Sequence, residues 1–384
     1  MHIAYTQYRT NQIKNHFTII IKSYIQRNSF NFISTRLYMV VKKVSRQICL
    51  VEYPVGMPTD NNFKLVQVDI PEPTKEGEFL VRNIWMSVDP YMRGRMRKEG
   101  GGNSYIPPFR LAQPLEGACI GQVIASKNNQ FAVGEYVLGM YGWREYWLSN
   151  GLDVIKVNQK IAPIQSFLGT FGMTGLTAYV GLLKIGELKD DDTIFVSAAS
   201  GAVGSIVCQI AKTKGCRVIG SVGSEEKVKW LVDQAGIDYA FNYKQVDDIC
   251  AELIKVCPDK IDIYFDNVGG KHLEAALNNM KTFGKIVLCG MISQYNSNSP
   301  IPGPSNLFLA ITNRLKLQGF IVRDHYDMLN EFHTAMAKWV GEGKINWKET
   351  VLEGIENAPK AFLGLFKGEN FGKMLVKIGP DSAV

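Results

Sequence analysis

No two of the seven cysteines stand in C-x-x-C spacing, and their number is odd. Cys49, Cys119, Cys208, Cys216, Cys250, Cys257 and Cys289 are scattered singly. That argues against a disulfide framework and a structural zinc lobe, and it fits a reducing cytoplasm. Histidine is scarce too. His2, His16, His272, His325 and His333 form no cluster, and zinc needs three or four convergent ligands, so no metal is expected. Long apolar runs are missing: the stretch 17–21 is too short for a signal h-region or a membrane span, and none elsewhere reaches transmembrane length. No membrane association is expected. Acids are absent from the first 38 residues, which carry Arg9, Lys14, Lys22, Arg27 and Arg36. Setting those five aside reduces the formal net charge from +7 to +2, so no nucleic-acid face is expected.

Three readings of residues 1–38 stay open: an organelle-targeting peptide, a poorly ordered tail, or translation from an upstream start with Met39 as the natural one. What remains has the composition of an ordinary globular protein, with 46% hydrophobic and 21% charged residues and length for two domains. From 39 to about 165 the chain alternates short segments with Pro and Gly. Strands are predicted at 48–53, 63–70, 78–87, 117–126, 136–140 and 143–148, as in a compact β-barrel-like domain. Between them runs a long loop, 89–114, in which Gly100-Gly101-Gly102 and Pro107-Pro108 forbid regular structure. Its basic run, Arg93, Arg95, Arg97 and Lys98, reads first as solvated surface, and Tyr91 is a candidate pocket wall.

Beyond Pro163 helix and strand alternate. A helical lead-in at 166–183 precedes the apolar run Ile194-Phe195-Val196, which ends abruptly in Ala199-Ser200-Gly201-Ala202-Val203-Gly204. This is A-x-G-x-x-G between a strand and a helix: Gly201 fits the close approach to a pyrophosphate, Gly204 the helix–strand packing, and Ala199 replaces the first glycine. Strands follow at 217–221, 239–241, 261–266, 285–289 and 315–322, with helices at 225–234, 247–256 and 272–279. Six strands with intervening helices make an α/β doubly wound parallel sheet over 166–336. A helix from 331 to about 341, a Gly-rich passage and a strand at 374–378 return the chain (337–384) to the first domain.

The second strand ends Gly220-Ser221-Val222-Gly223-Ser224 without an acid, and the next helix starts Glu225-Glu226-Lys227. An acid there would repel a 2′-phosphate, so its absence favours NADPH over NADH. Glu225 and Glu226 also read as helix-dipole acids, and Lys227 as a surface cation. At the ends of the fourth and fifth strands, Asn267 could bridge a ribose or cap the next helix, and Tyr295 is a phenol suited to donating to a substrate oxygen.

The motifs DPYMRGRM at 89–96, GMTGLTAY at 172–179, AASGAVGS at 198–205, GSEEKV at 223–228, FNYK at 241–244, FDNVGG at 265–270, CGMISQYN at 289–296, GFIV at 319–322 and ENFGK at 369–373 run in order over some 340 residues. Together they resemble the zinc-independent medium-chain dehydrogenase/reductase superfamily, in its NADPH-dependent alkenal and enone reductase branch. The resemblance implies a Rossmann domain beside a GroES-like catalytic domain completed by the C-terminal tail, and a homodimer. It implies that Gly201, Ala202, Val203 and Gly204 receive the pyrophosphate and that Lys227 and Tyr243 bind the 2′-phosphate. Asn267, Cys289, Gly290, Ile292, Ser293, Tyr295, Phe320, Ile321, Val322 and Asn370 would line the ribose and nicotinamide. Tyr295 would bond the carbonyl oxygen of a conjugated enal or enone, with Tyr91 facing the same cleft. Where zinc-dependent relatives carry G-H-E, this chain has Leu115-Glu116-Gly117-Ala118. The departures are Thr174, where many relatives have proline, and the segment before Met39. Quinone reduction, and a non-catalytic NADPH-binding partner protein, are the competing readings.

Overall fold

The computed structural model describes residues 44–98 and 104–381, so the readings of 1–38 and the glycine triplet at 100–102 lie outside the described residues. In chain order the strands are β1 (Val44–Leu50), β2 (Phe63–Asp69), β3 (Phe79–Ser87), β4 (Cys119–Ser126), β5 (Tyr136–Gly139), β6 (Tyr146–Ser149), β7 (Ile155–Lys156), β8 (Thr193–Ser197), β9 (Arg217–Val222), β10 (Tyr239–Asn242), β11 (Ile261–Asp266), β12 (Met280–Leu288), β13 (Lys316–Gly319), β14 (Glu349–Glu353) and β15 (Lys373–Lys377). The α-helices are α1 (Met92–Arg95), α2 (Met173–Tyr179), α3 (Gly204–Thr213), α4 (Glu225–Asp233), α5 (Ile249–Val256), α6 (Gly270–Asn279), α7 (Leu309–Thr312), α8 (Leu329–Gly341) and α9 (Ala358–Lys367).

β8 to β13 form one six-stranded parallel sheet in the order β10-β9-β8-β11-β12-β13, so the chain reverses direction across the sheet at β8. This is the doubly wound arrangement, whose ligands bind at the carboxyl ends of the strands beside that reversal. Ile194, Phe195 and Val196 are wholly buried, as expected of a central strand covered on both faces. The β-rich part is a separate, largely antiparallel sheet, β14-β15-β3-β4-β5-β7, with β6 also on β3 and β1 paired to β2 beside it. Its β15 comes from the far end of the chain and pairs with β3 through Leu375↔Ser87 to Lys377↔Trp85, so the tail completes this lobe.

Several local expectations need correction. The lead-in is not one helix: a 3-10 turn (Ile164–Leu168) gives way to α2 and then to a π-helical turn (Val180–Ile185). The sixth strand stops at Gly319 and a 3-10 stretch follows at Val322–Met328. The predicted strand at 143–148 starts only at Tyr146, because Trp143 sits at φ 65° with its ring fully buried. The Gly-rich passage near the C-terminus holds β14 and α9, with Gly368 at φ 69° capping the helix in the left-handed conformation. The loop 89–114 is not wholly irregular either, since α1 opens it.

The basic run in that loop divides. Arg97 and Lys98 are exposed, but Arg93 and Arg95 are buried. Arg95 donates through Nε to Pro107 O at 2.8 Å, pairs with Glu116 at 2.6 Å, and lies 4.0 Å over the Phe109 ring. It joins both flanks of the loop. The tails of these side chains replace the solvated-surface reading with a packing role.

His272, in the first turn of α6, is 4% exposed, stacks toward Phe195 and meets the Tyr243 ring edge-on at 5.2 Å; its Nε2 has no partner. Burial lowers its pKa from 6.5 to about 4. The unfolded chain then binds the proton first as pH falls, so stability is complete above about pH 6.5 and is lost toward pH 4. Between pH 7 and 4.5 this amounts to about 2 kcal/mol. In urea unfolding at the two pH values, His272→Phe should lose about that much less stability than the wild type; equal losses would reject the assignment.

Candidate active site

A cleft of about 2730 Å³ runs along the carboxyl ends of the six-stranded sheet and is lined on its other side by Asp89 to Tyr91, Arg95 and residues 105–110 of the loop and by the tail. All residues expected at the site line it: Gly201 to Gly204, Lys227, Tyr243, Asn267, Cys289, Gly290, Ile292, Ser293, Tyr295, Phe320, Ile321, Val322 and Asn370, together with Tyr91.

The turn after β8 is tight. Gly201 N–H donates to Ala198 O at 2.9 Å, and Ala198 itself stands at φ 49°. A Cβ on Gly204 would collide with Ala198 O and lie 2.9 Å from Ala199 Cα, so only glycine lets α3 start this close to the strand. Gly201 meets only Ala198 O, at 3.1 Å, and its outer side is open to the cleft. Ala199 has its own reason. A Cβ on Gly220 of the neighbouring β9 would lie 2.7 Å from the Ala199 methyl, so one of the two positions must be glycine. The expected glycine has moved to the next strand.

At the tip of β9, Glu225 and Glu226 are exposed and Lys227 is half-buried. Lys227 Nζ donates to Gly368 O at 2.7 Å, and its pKa is lowered by burial and then by the Lys244 ammonium. A Cβ at Gly223 would lie 3.4 Å from both Lys244 Nζ and Tyr243 Cε1. Two ammonium groups and a phenol therefore converge at the edge of the cleft. A pair of like charges beside a glycine turn is a cradle for a polyanion, and a 2′-phosphate fits it. Lys244 was missed from sequence: it stands in the FNYK motif, but nothing local distinguishes it from a solvated lysine.

Asn267 neither caps α6, whose N-cap is Gly269, nor stands free: its Nδ2 donates to Ser197 O at 2.7 Å, tying the ends of β8 and β11. Asp266 beside it is fully buried, and its Oδ1 accepts from Tyr264, Ser197, Val268 and Gly269; burial raises its pKa. At the end of β12, Tyr295 folds back so that its phenol oxygen accepts the Met291 N–H at 3.2 Å. A Cβ on Gly290 would lie 3.1 Å from that oxygen, so the glycine leaves it room. Burial, outweighing the Met291 bond, raises the Tyr295 pKa. Tyr91 is raised as well, by burial and then by Asp89. Tyr105 and Tyr326, which carry no motif, also line the cleft, and the Tyr105 pKa is raised by burial and then by Tyr295. With Tyr141 and Tyr243, six tyrosines thus line the cleft.

Among the described residues no group of three or more His, Cys, Asp or Glu side chains could hold a metal, and no helix is long and apolar enough to cross a membrane.

Two family models match the chain: the N-terminal domain of oxidoreductase over 46–157 and zinc-binding dehydrogenase over 202–340. The chain is 42% identical over 340 residues to the 2-alkenal reductase (NADP(+)-dependent) of Nicotiana tabacum, covering 88% of this chain and 98% of that protein. It is 45% identical over 335 residues to prostaglandin reductase 1 of Bos taurus, covering 85% and 97%. Among solved structures, CurA from Vibrio vulnificus in complex with NADPH superposes with a TM-score of 0.82 at 44% identity, covering 87% of this chain and 99% of that one. On these similarities and on a cleft built around the fingerprint turn, the chain belongs to the medium-chain dehydrogenase/reductase superfamily, in its NADPH-dependent alkenal and enone reductase branch.

Proposed function

We propose that this chain reduces the C=C bond of α,β-unsaturated aldehydes and ketones with NADPH, and that it does so as a homodimer in the cytoplasm. The observation that carries the reading is the Tyr295 phenol. It stands in the cleft at the end of β12, and Met291 N–H occupies one lone pair of its oxygen. Its own proton is left to donate. Gly201 to Gly204 and the lysine pair fit the pyrophosphate and 2′-phosphate of NADPH. When bound, NADPH supplies the hydride that adds to the β-carbon of the enone.

The chain's residues supply orientation and charge stabilisation. Tyr295 O–H bonds the substrate carbonyl oxygen, and the bond strengthens as negative charge develops there. The Met291 N–H withdraws electron density from the phenol oxygen and makes it the better donor. Because burial raises the Tyr295 pKa, the phenol keeps its proton through neutral pH. Tyr91, on the loop side, orients the substrate from the opposite wall. Solvent protonates the α-carbon. The cytoplasmic assignment is supported by seven unpaired thiols. The dimer is supported by β13, an edge strand that among the described residues pairs only with β12, preceded by exposed Leu307, Phe308 and Ile311.

Tyr295→Phe should lower kcat for 2-alkenals about 100-fold, with NADPH affinity unchanged. Full turnover would exclude the phenol as the donor, and faster reduction of simple quinones than of enals would replace the enone reading. Lys227→Ala and Lys244→Ala should each weaken NADPH binding about 10-fold in fluorescence titrations and leave NADH binding unchanged; parallel losses for both nucleotides would remove the 2′-phosphate from this cradle. In light scattering the wild type should show twice the chain mass and Phe308→Asp the single mass; a monomeric wild type, or a variant that stays dimeric, would discard this edge as the interface.

A further inference from the structure

Arg93 is a buried cation without an anion. It is 3% exposed, and the influences on its charge are burial and the like charge of Arg97, with no carboxylate among them. Those influences lower its pKa to about 10, so it remains a guanidinium at neutral pH. A charge kept out of water in this way requires strong acceptors. Those it finds come from two places far apart in sequence. One terminal nitrogen donates to Gly56 O at 2.7 Å and to Pro54 O at 3.5 Å, within the β-rich lobe. Its Nε donates at 2.9 Å to Oδ1 of Asn296, on the turn that follows the dinucleotide sheet's fifth strand. The Asn296 amide completes the link by reaching Met57 Sδ at 3.1 Å.

Asn296 is the residue after Tyr295, and Arg93 lies two residues after Tyr91 at the start of the same loop. One guanidinium therefore bonds the segments that carry both cleft phenols. We propose that Arg93, acting through Asn296, is a positioning residue that holds the Tyr295 phenol in register with the substrate wall. The tether has its effect on catalysis rather than on cofactor binding, because the pyrophosphate turn and the lysine cradle lie elsewhere on the sheet. A displacement of about 1 Å at a reacting group can cost on the order of 100-fold in rate, so a loosened phenol should show in kcat. This inference rests on the reading of Tyr295 as the carbonyl donor.

Asn296 is the place to test it, since its side chain is partly exposed and uncharged and the Arg93 guanidinium keeps its carbonyl acceptors at Gly56 and Pro54 when it is changed. Asn296→Leu removes the acceptor, and Asn296→Asp keeps it and adds a counter-charge. Thermal unfolding and NADPH titration by fluorescence check folding and cofactor affinity for each. The expected result is a kcat with 2-alkenals reduced ~10-fold in Asn296→Leu, NADPH affinity within about twofold, and Asn296→Asp restored to near the wild-type rate. In a Tyr295→Phe background, Asn296→Leu should cost nothing further. Wild-type kcat in Asn296→Leu while Tyr295→Phe is slow would overturn the tether and leave the phenol's role intact. Full turnover in Tyr295→Phe would overturn both. An undiminished loss from Asn296→Leu in the Tyr295→Phe background would show that the tether acts on something other than the phenol, and would also reject the proposal.

Discussion

The cleft depends on the way the last strand enters it. Gly372, just before β15, donates its N–H to Ser200 O at 2.9 Å and bridges to Gly201, so the tail lies directly against the fingerprint turn. It does so at φ 64°, and a Cβ there would collide with Lys348 O, which leaves no alternative to glycine. The next residue, Lys373, extends in the other direction. Its Nζ meets Asp89 Oδ1 at 3.1 Å, Val88 O at 3.1 Å and Met374 O at 3.0 Å, with Lys373 and Asp89 each about 5% exposed. Three protons find three acceptors, and the second Asp89 oxygen accepts from Ser87 Oγ at 2.5 Å. A buried ion pair is costly unless every remaining valence is satisfied, and here each of the ammonium protons is. Two adjacent residues thereby fix the cofactor turn on one side and the root of the substrate loop on the other.

The charges that lack partners are distributed differently. Burial and then the Lys244 ammonium lower the Lys227 pKa, and Arg93 has only dipoles and a like charge around it. Where Lys373 is neutralised in the fold, Lys227 has the Gly368 carbonyl and the more distant Glu226 charge, and on the proposed reading the 2′-phosphate completes its neutralisation. On that reading the arrangement trades stability of the empty site for affinity toward an anion, the usual exchange at binding sites. It also makes the acid-free end of β9 intelligible, since a carboxylate there would have satisfied Lys227 internally and closed the cradle to phosphate.

How much of this was legible in the sequence depended on where the determining contacts lay. β11 was read to the residue, because Ile261, Ile263, Tyr264 and Phe265 make a β-forming stretch interrupted only by Asp262 and ended by Asp266, whose buried carboxylate gathers the N–H groups of the next turn. The fingerprint, the acid-free tip and Tyr295 were legible because each is a local pattern tied to a known place in the sheet. Arg93 and Arg95 were read as solvated because a charge run carries no sign of the carbonyls at 54, 56 and 107 that bond to it. β14 and α9 were hidden by Gly354, Gly364, Gly368 and Gly372, which depress local propensity. The strand is held by parallel pairing to β15, and the helix buries Phe362 against the β-rich lobe.

Ala199 shows what kind of information a fingerprint contains. Read along the chain, an alanine in place of the first glycine is a defect. Across the sheet, Ala199 N–H donates to Ser221 O at 3.1 Å, so the turn lies against the end of β9, and the alanine methyl fills the space that Gly220 leaves. The constraint is on the combined volume of two neighbouring positions, not on either residue alone. It is met equally by glycine then a larger residue or by alanine then glycine, and the second choice is the one that costs the turn less backbone entropy on folding. Gly204 has no such partner to exchange with, because what its Cβ would strike is backbone, Ala198 O and Ala199 Cα. A side-chain clash can be relieved by a substitution elsewhere and a backbone clash cannot, which is why this chain departs from the pattern at Ala199 and keeps it at Gly204.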